Sequence, residues 1–263
     1  MCQYSLYVTL APLAVVMAVG VLMYARRYRH TTPGDTAALH WLTACIVGWI
    51  ALDAFELVAR TEAATLFWAR ASYLFIAGAP VAWFAFALDH WGRREWHTPI
   101  KLAILGIAPV GMVILAMTNA AHGLIWREYQ FVRAGDLLAM QVVSHGPAFW
   151  LWVAGGYILV AAGSLLIIRR SLTSFHLYRH QSRLMVVGAL IPILFNLAYL
   201  FHLIPGLRKD YTPISFALAS SIFVIAMIRY RLFEVKPIAR NVVIDTLQDP
   251  VLALDTMGRL VDL

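Results

Sequence analysis

Asp53 and Glu56 lie three residues apart inside a run of apolar residues, Leu39–Val58, and that placement is the first chemical clue in the chain. At this spacing both carboxylates share one face of a helix. Ionisable groups inside such a run are costly, and they are functional candidates by default. The next apolar run, Leu66–Leu88, opens with Arg70 and Tyr73. The connection between the two runs is centred near Thr61 and Glu62, so Asp53 and Arg70 fall at similar depth on antiparallel helices. An ion pair of Arg70 with Asp53 or Glu56 is therefore expected. Two carboxylates against one guanidinium leave a surplus acid that can hold a proton, bind a cation or contact a ligand. A purely structural pair that sets the register of two helices uses the same residues, and the sequence leaves both roles open.

Other polar side chains gather at the ends of apolar runs on the same side. Asn119, His122 and Trp126 close the fourth run, and His145 precedes the fifth. Asn196, Tyr199 and His202 end the sixth, and Tyr211 with Thr212 opens the seventh. Aromatic walls with a few polar groups are the usual make-up of a small-molecule pocket. Polar residues also crowd helix ends without any ligand, so the rim by itself does not decide between the two. The ligand-binding candidates are Asp53, Glu56, Arg70, Tyr73, Asn119, His122, Trp126, His145, Asn196, Tyr199, His202 and Tyr211. Asp89 and His90, beside Trp91, Arg93 and Arg94, read as an interfacial boundary. No catalytic residue, metal ligand set or cofactor is expected.

A membrane bundle must position these residues. Of 263 residues, 61% are hydrophobic and 13% charged, whereas soluble domains carry roughly 25% charged residues. Mean hydropathy is +0.72. A membrane helix needs about 20 apolar residues. Seven runs qualify: Tyr7–Tyr24, Leu39–Val58, Leu66–Leu88, Ile100–Met117, Ala148–Ile168, Leu184–Ile204 and Tyr211–Ile228. Lipid leaves open backbone groups unsatisfied, so each run must be helical. Pro80, Pro109 and Pro192 inside the runs then mark kinks rather than ends. The expected class is an all-α integral membrane protein, a seven-transmembrane helix bundle.

Basic residues orient it. Counted as far as Arg240, fourteen Lys and Arg residues fall at the odd-numbered connections and after the last run, against six on the opposite side. The positive-inside rule then puts the N-terminus outside and the C-terminus in the cytoplasm. The net charge of +7 is accounted for by this bias toward anionic lipid, and nucleic acid is not an expected partner. The first run lacks a preceding basic stretch and is followed by Arg26, Arg27 and Arg29, which reads as a retained anchor, not a cleaved leader. Cys2 and Cys45 form no disulfide framework. One connection is long, about Thr118 to Pro147; at that length it is expected to be functional or packed on the outer face. Its Trp126, Tyr129 and Phe131 suit the headgroup level.

Beyond the bundle (1–232) the composition turns polar. A short cytoplasmic helix opened by Pro237 is expected within 233–248. In 249–263, Val251–Asp255 reads as a strand, Thr256–Arg259 as a turn and Leu260–Leu263 as the start of a second strand. A lone hairpin is marginal in water, so a longer parent chain with a further cytoplasmic domain is expected.

Several local patterns, in this order, carry a resemblance. They are ALDAFEL (Ala51–Leu57) with FWARASY (Phe67–Tyr73), PVAWFAFALDHWGR (Pro80–Arg93) and TNAAHGLIW (Thr118–Trp126). HGPAFW (His145–Trp150), NLAYL (Asn196–Leu200), YTPISFALAS (Tyr211–Ser220) and RYRLFEVKPIARN (Arg229–Asn241) follow. Together they resemble the N-terminal seven-transmembrane sensor region of bacterial histidine kinases. The tail DPVLALDTMGRLVDL resembles the opening strands of a PAS domain. The resemblance implies a membrane sensor module of a two-component system, located in the inner membrane and homodimeric. It would pass a small-molecule or lipid stimulus to a cytoplasmic PAS and output module, a kinase or less often a diguanylate cyclase. The chain itself carries no phospho-accepting dimerisation helix and no ATP-binding domain, and His176 and His180 read as a basic surface rather than a phosphotransfer site.

Other classes fit less well. Retinal needs a lysine in mid-span, and Lys101, Lys209 and Lys236 sit at boundaries or in connections. A small-molecule or ion transporter is the alternative reading, but no internal repeat marks it. A haem cytochrome needs facing histidines, and His40, His90, His122, His145 and His202 lie near ends on mixed sides.

Overall fold

The computed structural model describes residues 2–27, 37–91, 99–173, 176–205, 209–216, 218–219, 222, 253–254 and 260–262. Its first helices are α1 (Cys2–Arg27), α2 (Ala37–Val58), α3 (Glu62–Ala71) and α4 (Tyr73–Trp91). They are followed by α5 (Pro99–Met117), the single turn α6 (Asn119–His122), strands β1 (Trp126–Ala134) and β2 (Leu137–His145), α7 (Pro147–Thr173) and α8 (His176–Leu200). Near the C-terminus, β3 (Ala253–Leu254) and β4 (Leu260–Asp262) pair antiparallel. Much of the seventh apolar run, the expected cytoplasmic helix at 233–248 and the side chains of His176 and His180 lie outside the described residues.

Among the described residues, five helical segments are long and apolar enough to cross a membrane: Tyr4–Val21, Ala37–Val58, Glu62–His90, Pro147–Arg170 and Arg183–Leu200. A shorter apolar stretch, Ile104–Met117, lies in α5. α4, α5 and α8 run through Pro80, Pro109 and Pro192, so the prolines sit inside helices rather than at their ends. The sixth run stops earlier than its apolar pattern: α8 ends at Leu200, and His202 takes a positive φ of 50°.

The third run forms one span, Glu62–His90, made of two helical stretches, α3 and α4. Thr61 starts α3 by accepting a hydrogen bond from Ala64 N at 3.3 Å, with Glu62 in the first turn, where the helix dipole favours an acid. Ser72 is a single turn residue between the two stretches: its hydroxyl joins its N–H on Trp68 O, the Phe75 N–H donates to Ser72 O in an i→i−3 step, and α4 runs on from Tyr73. Ser72 is buried, so this satisfaction of its hydroxyl matters.

α2 and α4 pack closely because glycines face each other's helix. A Cβ on Gly48 would meet the Phe75 ring at 2.4 Å, and one on Gly78 would meet Cys45 Sγ at 2.9 Å. The outward faces stay apolar: Ile104, Ile107, Leu151, Ile158 and Leu194 are all exposed. Large apolar side chains pointing outward at this density mark a lipid-facing surface.

In the long connection the chain leaves the helical pattern. β1 and β2 form an antiparallel hairpin turned at Gly135 and Asp136, with Gly135 at φ 67°. A two-stranded hairpin is marginal by itself; this one buries Trp126, Leu138, Ala139 and Met140 against the bundle. β2 packs on α2 and α3. Asn119 clamps its base, accepting from Ile125 N at 2.9 Å and Trp126 N at 3.1 Å and donating to Trp126 O at 3.0 Å.

Candidate functional site

Five helical segments each turn one stripe of residues toward a common cavity of about 280 Å³. On α2 the stripe is Leu39, Leu42, Thr43, Ile46, Trp49, Asp53 and Glu56, the spacing of one helix face. α4 contributes Tyr73, Ile76, Ala79, Pro80 and Trp83; α7 contributes Phe149, Trp152, Val153, Gly156, Tyr157 and Val160. From α8 come Ala189, Pro192, Ile193, Asn196 and Tyr199, and from the following segment Thr212, Phe216 and Ala219. The stripe on α2 alone runs about 25 Å at the helical rise per residue, so the cavity is long and slender.

Its two ends differ in chemistry. At one end small and apolar residues dominate, with the Trp83 indole donating to Val160 O at 3.3 Å. At the other, next to the hairpin, the charges cluster. Lys209 Nζ lies 3.1 Å from Asp53 Oδ2 and 3.3 Å from Glu56 Oε2. Glu56 Oε1 accepts the Met140 N–H of β2 at 3.3 Å, so the acid also pins the hairpin to α2. The Lys209 ammonium stands 5.2 Å above the Tyr7 ring, a cation–π arrangement. Burial works against that ammonium, but the carboxylates of Asp53 and Glu56 outweigh it and hold its pKa above the ordinary lysine range.

A second string of hydrogen bonds crosses the same end. Tyr157 OH donates to Asn196 Oδ1 at 2.7 Å, and Asn196 Nδ2 donates to Thr212 Oγ1 at 3.2 Å. Thr212 donates both its N–H and its hydroxyl to Asp210 Oδ1, which starts the helical turn that follows. Burial pushes the Asp210 carboxyl up to about 6 against these bonds, and burial with His202 nearby brings His145 down to about 4.

The structure therefore unites seven of the expected candidates around the cavity: Asp53, Glu56, Tyr73, Trp126, His145, Asn196 and Tyr199. It corrects the expected ion pair. The acids are held by Lys209, and among the described residues no acid is paired with Arg70, whose Nε is buried without a partner. The reason is angular: Ala69, Ser72, Tyr73 and Ile76 form the cavity-facing stripe, and Arg70 is one residue, about 100°, off it. Asn119 spends its amide on the hairpin base. His122 is exposed and bonded to Thr118 Oγ1 and Leu124 N. His202 is exposed, and Tyr211 packs edge-on against Tyr7 at 5.7 Å, away from the cavity lining. Lys209, Asp210 and Tyr157 were not among the candidates. The available signal was the position of Lys209 and Asp210 immediately before the seventh run, on the side to which the acids of α2 point.

The N-terminal 7TM region of histidine kinase, as a family, matches residues 10–237 of this chain. The chain belongs to that family. Membership makes it the multi-pass membrane region of a histidine kinase, in agreement with the resemblance read from its motifs. No curated protein matches the chain. The residues that line the cavity, from Ala18 to Ala219, fall within the matched residues of this kinase membrane region. Among the described residues there is no group of three or more His, Cys, Asp and Glu that could hold a metal ion.

Proposed function

We propose that the chain is the input module of a bacterial two-component sensor kinase and that its stimulus acts at the polar end of the cavity. One observation carries this reading: Lys209, Asp210 and Thr212, which lead into the last apolar run, are themselves cavity-lining residues. Lys209 ties that lead-in to α2, and Thr212 ties it through Asn196 to α8 and Tyr157 of α7. A molecule or lipid entering this end competes for the side chains that tether the last run. It changes helix packing to the extent that it binds two packings unequally. The last run then transmits the change along the chain toward the output module.

Seven spans complete the proposal, with the N-terminus outside, the C-terminus in the cytoplasm and the polar end in the outer leaflet of the inner membrane. The uneven distribution of basic residues supports that orientation. The segment 249–263 is read as the beginning of a PAS domain that connects to the kinase, and the kinase as a homodimer; both rest on the family resemblance. Autophosphorylation of the parent kinase in reconstituted vesicles tests the reading. Asn196→Ala and Thr212→Val, which cut the tether without removing a charge, are expected to shift basal autophosphorylation several-fold. Wild-type autophosphorylation in both variants, with insertion and folding intact, would exclude the cavity as the input site.

A further inference from the structure

The cavity also carries information about what it binds. Among its described lining residues the ionisable groups that can bear charge are Asp53, Glu56, Asp210, Lys209 and His145. Burial holds His145 well below its ordinary value, so it is neutral at pH 7. Three carboxylates therefore face one ammonium. Glu56 has donors on both oxygens, from Met140 N and Lys209 Nζ, and Asp210 takes two from Thr212. Asp53 is different. Its Oδ2 is held by the Lys209 ammonium at 3.1 Å, a cation that it shares with Glu56. The residue is only 8% exposed and lines the cavity, so a buried acid with half a share of one ammonium borders the empty space.

The walls near this acceptor are aromatic. Tyr73 and Trp126 meet edge to face at 5.4 Å, and both line the cavity with Tyr157 and Tyr199. Ring faces attract cations, and more strongly where water is excluded. An excess of acids over cations and aromatic walls both select a positively charged group. An anionic head would bring further negative charge beside three acids that share one ammonium. Away from this end, the α2 stripe continues through Ile46, Leu42 and Leu39, and small residues such as Ala79, Gly156 and Ala189 leave a narrow apolar channel. Such a channel suits an unbranched chain better than a bulky body.

We propose that the cavity binds an amphiphile whose protonated amine sits at Asp53, between the carboxylates and the aromatic walls, and whose single apolar chain lies along the α2 stripe. The assignment rests on the cavity being the input site, and it deepens that reading. A lipid with an amine head and a free long-chain amine share this chemistry.

Photo-crosslinking of the full chain in phosphatidylcholine nanodiscs tests it. The probe is a long-chain primary amine carrying a diazirine on its tail, and mass spectrometry maps the labelled peptides. Label is expected on the stripes of α2, α4, α7 and α8, and dodecylamine should compete at concentrations about tenfold below dodecanol or dodecanoate. Asp53→Asn should remove that preference, and Asp210→Asn should weaken it. The comparison of three competitors needs only the wild-type chain, so it stands even if a variant fails to fold. Label confined to the outer faces, or equal competition by the alcohol or the carboxylate, would overturn the assignment. Discs doped with lysophosphatidylethanolamine, which has one chain and an amine head, separate the sources: loss of label there identifies the lipid, unchanged label a free amphiphile, and either result supports an ammonium site. Site-specific binding of the amine with unaltered autophosphorylation of the parent kinase would instead remove the input reading and leave the ligand class standing.

Discussion

The two ends of the cavity are built by different rules. The apolar end is made by helices whose inward stripes recur every three or four residues, so local periodicity assembles it. The polar end joins Tyr7, Asp53, Glu56, Met140, Asn196 and Lys209, side chains and backbone from segments scattered over most of the chain. Errors at the apolar end cost packing. At the polar end they leave charge unpaired where water cannot reach it. Redundancy therefore differs as well: many apolar contacts share the load at one end, while a single ammonium serves two acids at the other.

Lys209→Met should break that contrast most severely. It leaves Asp53 and Glu56 buried and facing each other, and removing one partner of a buried ion pair costs about 3–5 kcal/mol. Thermal unfolding in detergent micelles is expected to show a large fall in midpoint. The triple change Lys209→Met, Asp53→Asn, Glu56→Gln should recover most of it, because no charge then remains to be compensated. Failure of the triple variant to recover would show that the ammonium matters for more than charge.

At the apolar end the corresponding change is milder. Trp83→Phe keeps an aromatic body in the wall but removes the indole N–H that bonds Val160 O. Loss of one such bond costs about 0.5–1.5 kcal/mol, with some repacking around Gly163, whose position lies close to the Trp83 ring. The unfolding midpoint should fall by a fraction of the Lys209→Met effect. An equal fall in both variants would erase the distinction between the two ends.

Acid titration sharpens the polar end further, because two of its groups pull in opposite directions. His145 is held at about 4 against an ordinary 6.5, so the stability it contributes is present above pH 6.5 and lost as the pH falls toward 4. Asp210 is raised to about 6 from 3.8, so its contribution is full below pH 3.8 and lost as the pH rises through 6. Between these limits the two partly cancel. Comparing unfolding midpoints near pH 7 and about pH 4.5 separates them. His145→Phe should shrink the acid-induced fall, and Asp210→Asn should enlarge it. Identical pH profiles in both variants and the wild type would mean that neither group titrates in that range.

Much of the architecture was legible because lipid imposes helix on every apolar run, and the five spans among the described residues lie where such runs occur. The side-chain stripes were legible too, since Asp53 with Glu56 and Asn196 with Tyr199 each share a helix face that proved to line the cavity. The hairpin was harder. Its segment read as a long connection, and what makes strands stable there is burial on the ends of α2 and α3, which no local pattern announces. Ser72 was hidden for a similar reason: its neighbours are apolar and helix-forming, and only the extra donation of its hydroxyl to Trp68 O and the i→i−3 bond from Phe75 N to Ser72 O mark the irregularity. Lys209 was the furthest from view. It lies 153 residues from Glu56 and looked like one more basic residue in a connection, so the nearer Arg70 took its role.

That misassignment yields the smallest and most discriminating expectation. Depth in the membrane made Arg70 a natural partner for the acids of α2, yet depth is only one of two coordinates on a helix. The other is the angle about its axis, and Ala69 occupies the buried position that faces the site while Arg70 is turned away from it. With no acid paired to it among the described residues, its removal should resemble that of a partly exposed surface cation. Arg70→Gln is therefore expected to change stability by less than about 1 kcal/mol and to leave autophosphorylation of the parent kinase near wild type. Lys209→Gln under the same conditions should fail in both measurements. A loss in Arg70→Gln comparable to that in Lys209→Gln would return the guanidinium to the acid cluster, and the polar end would then have two cations to share three carboxylates.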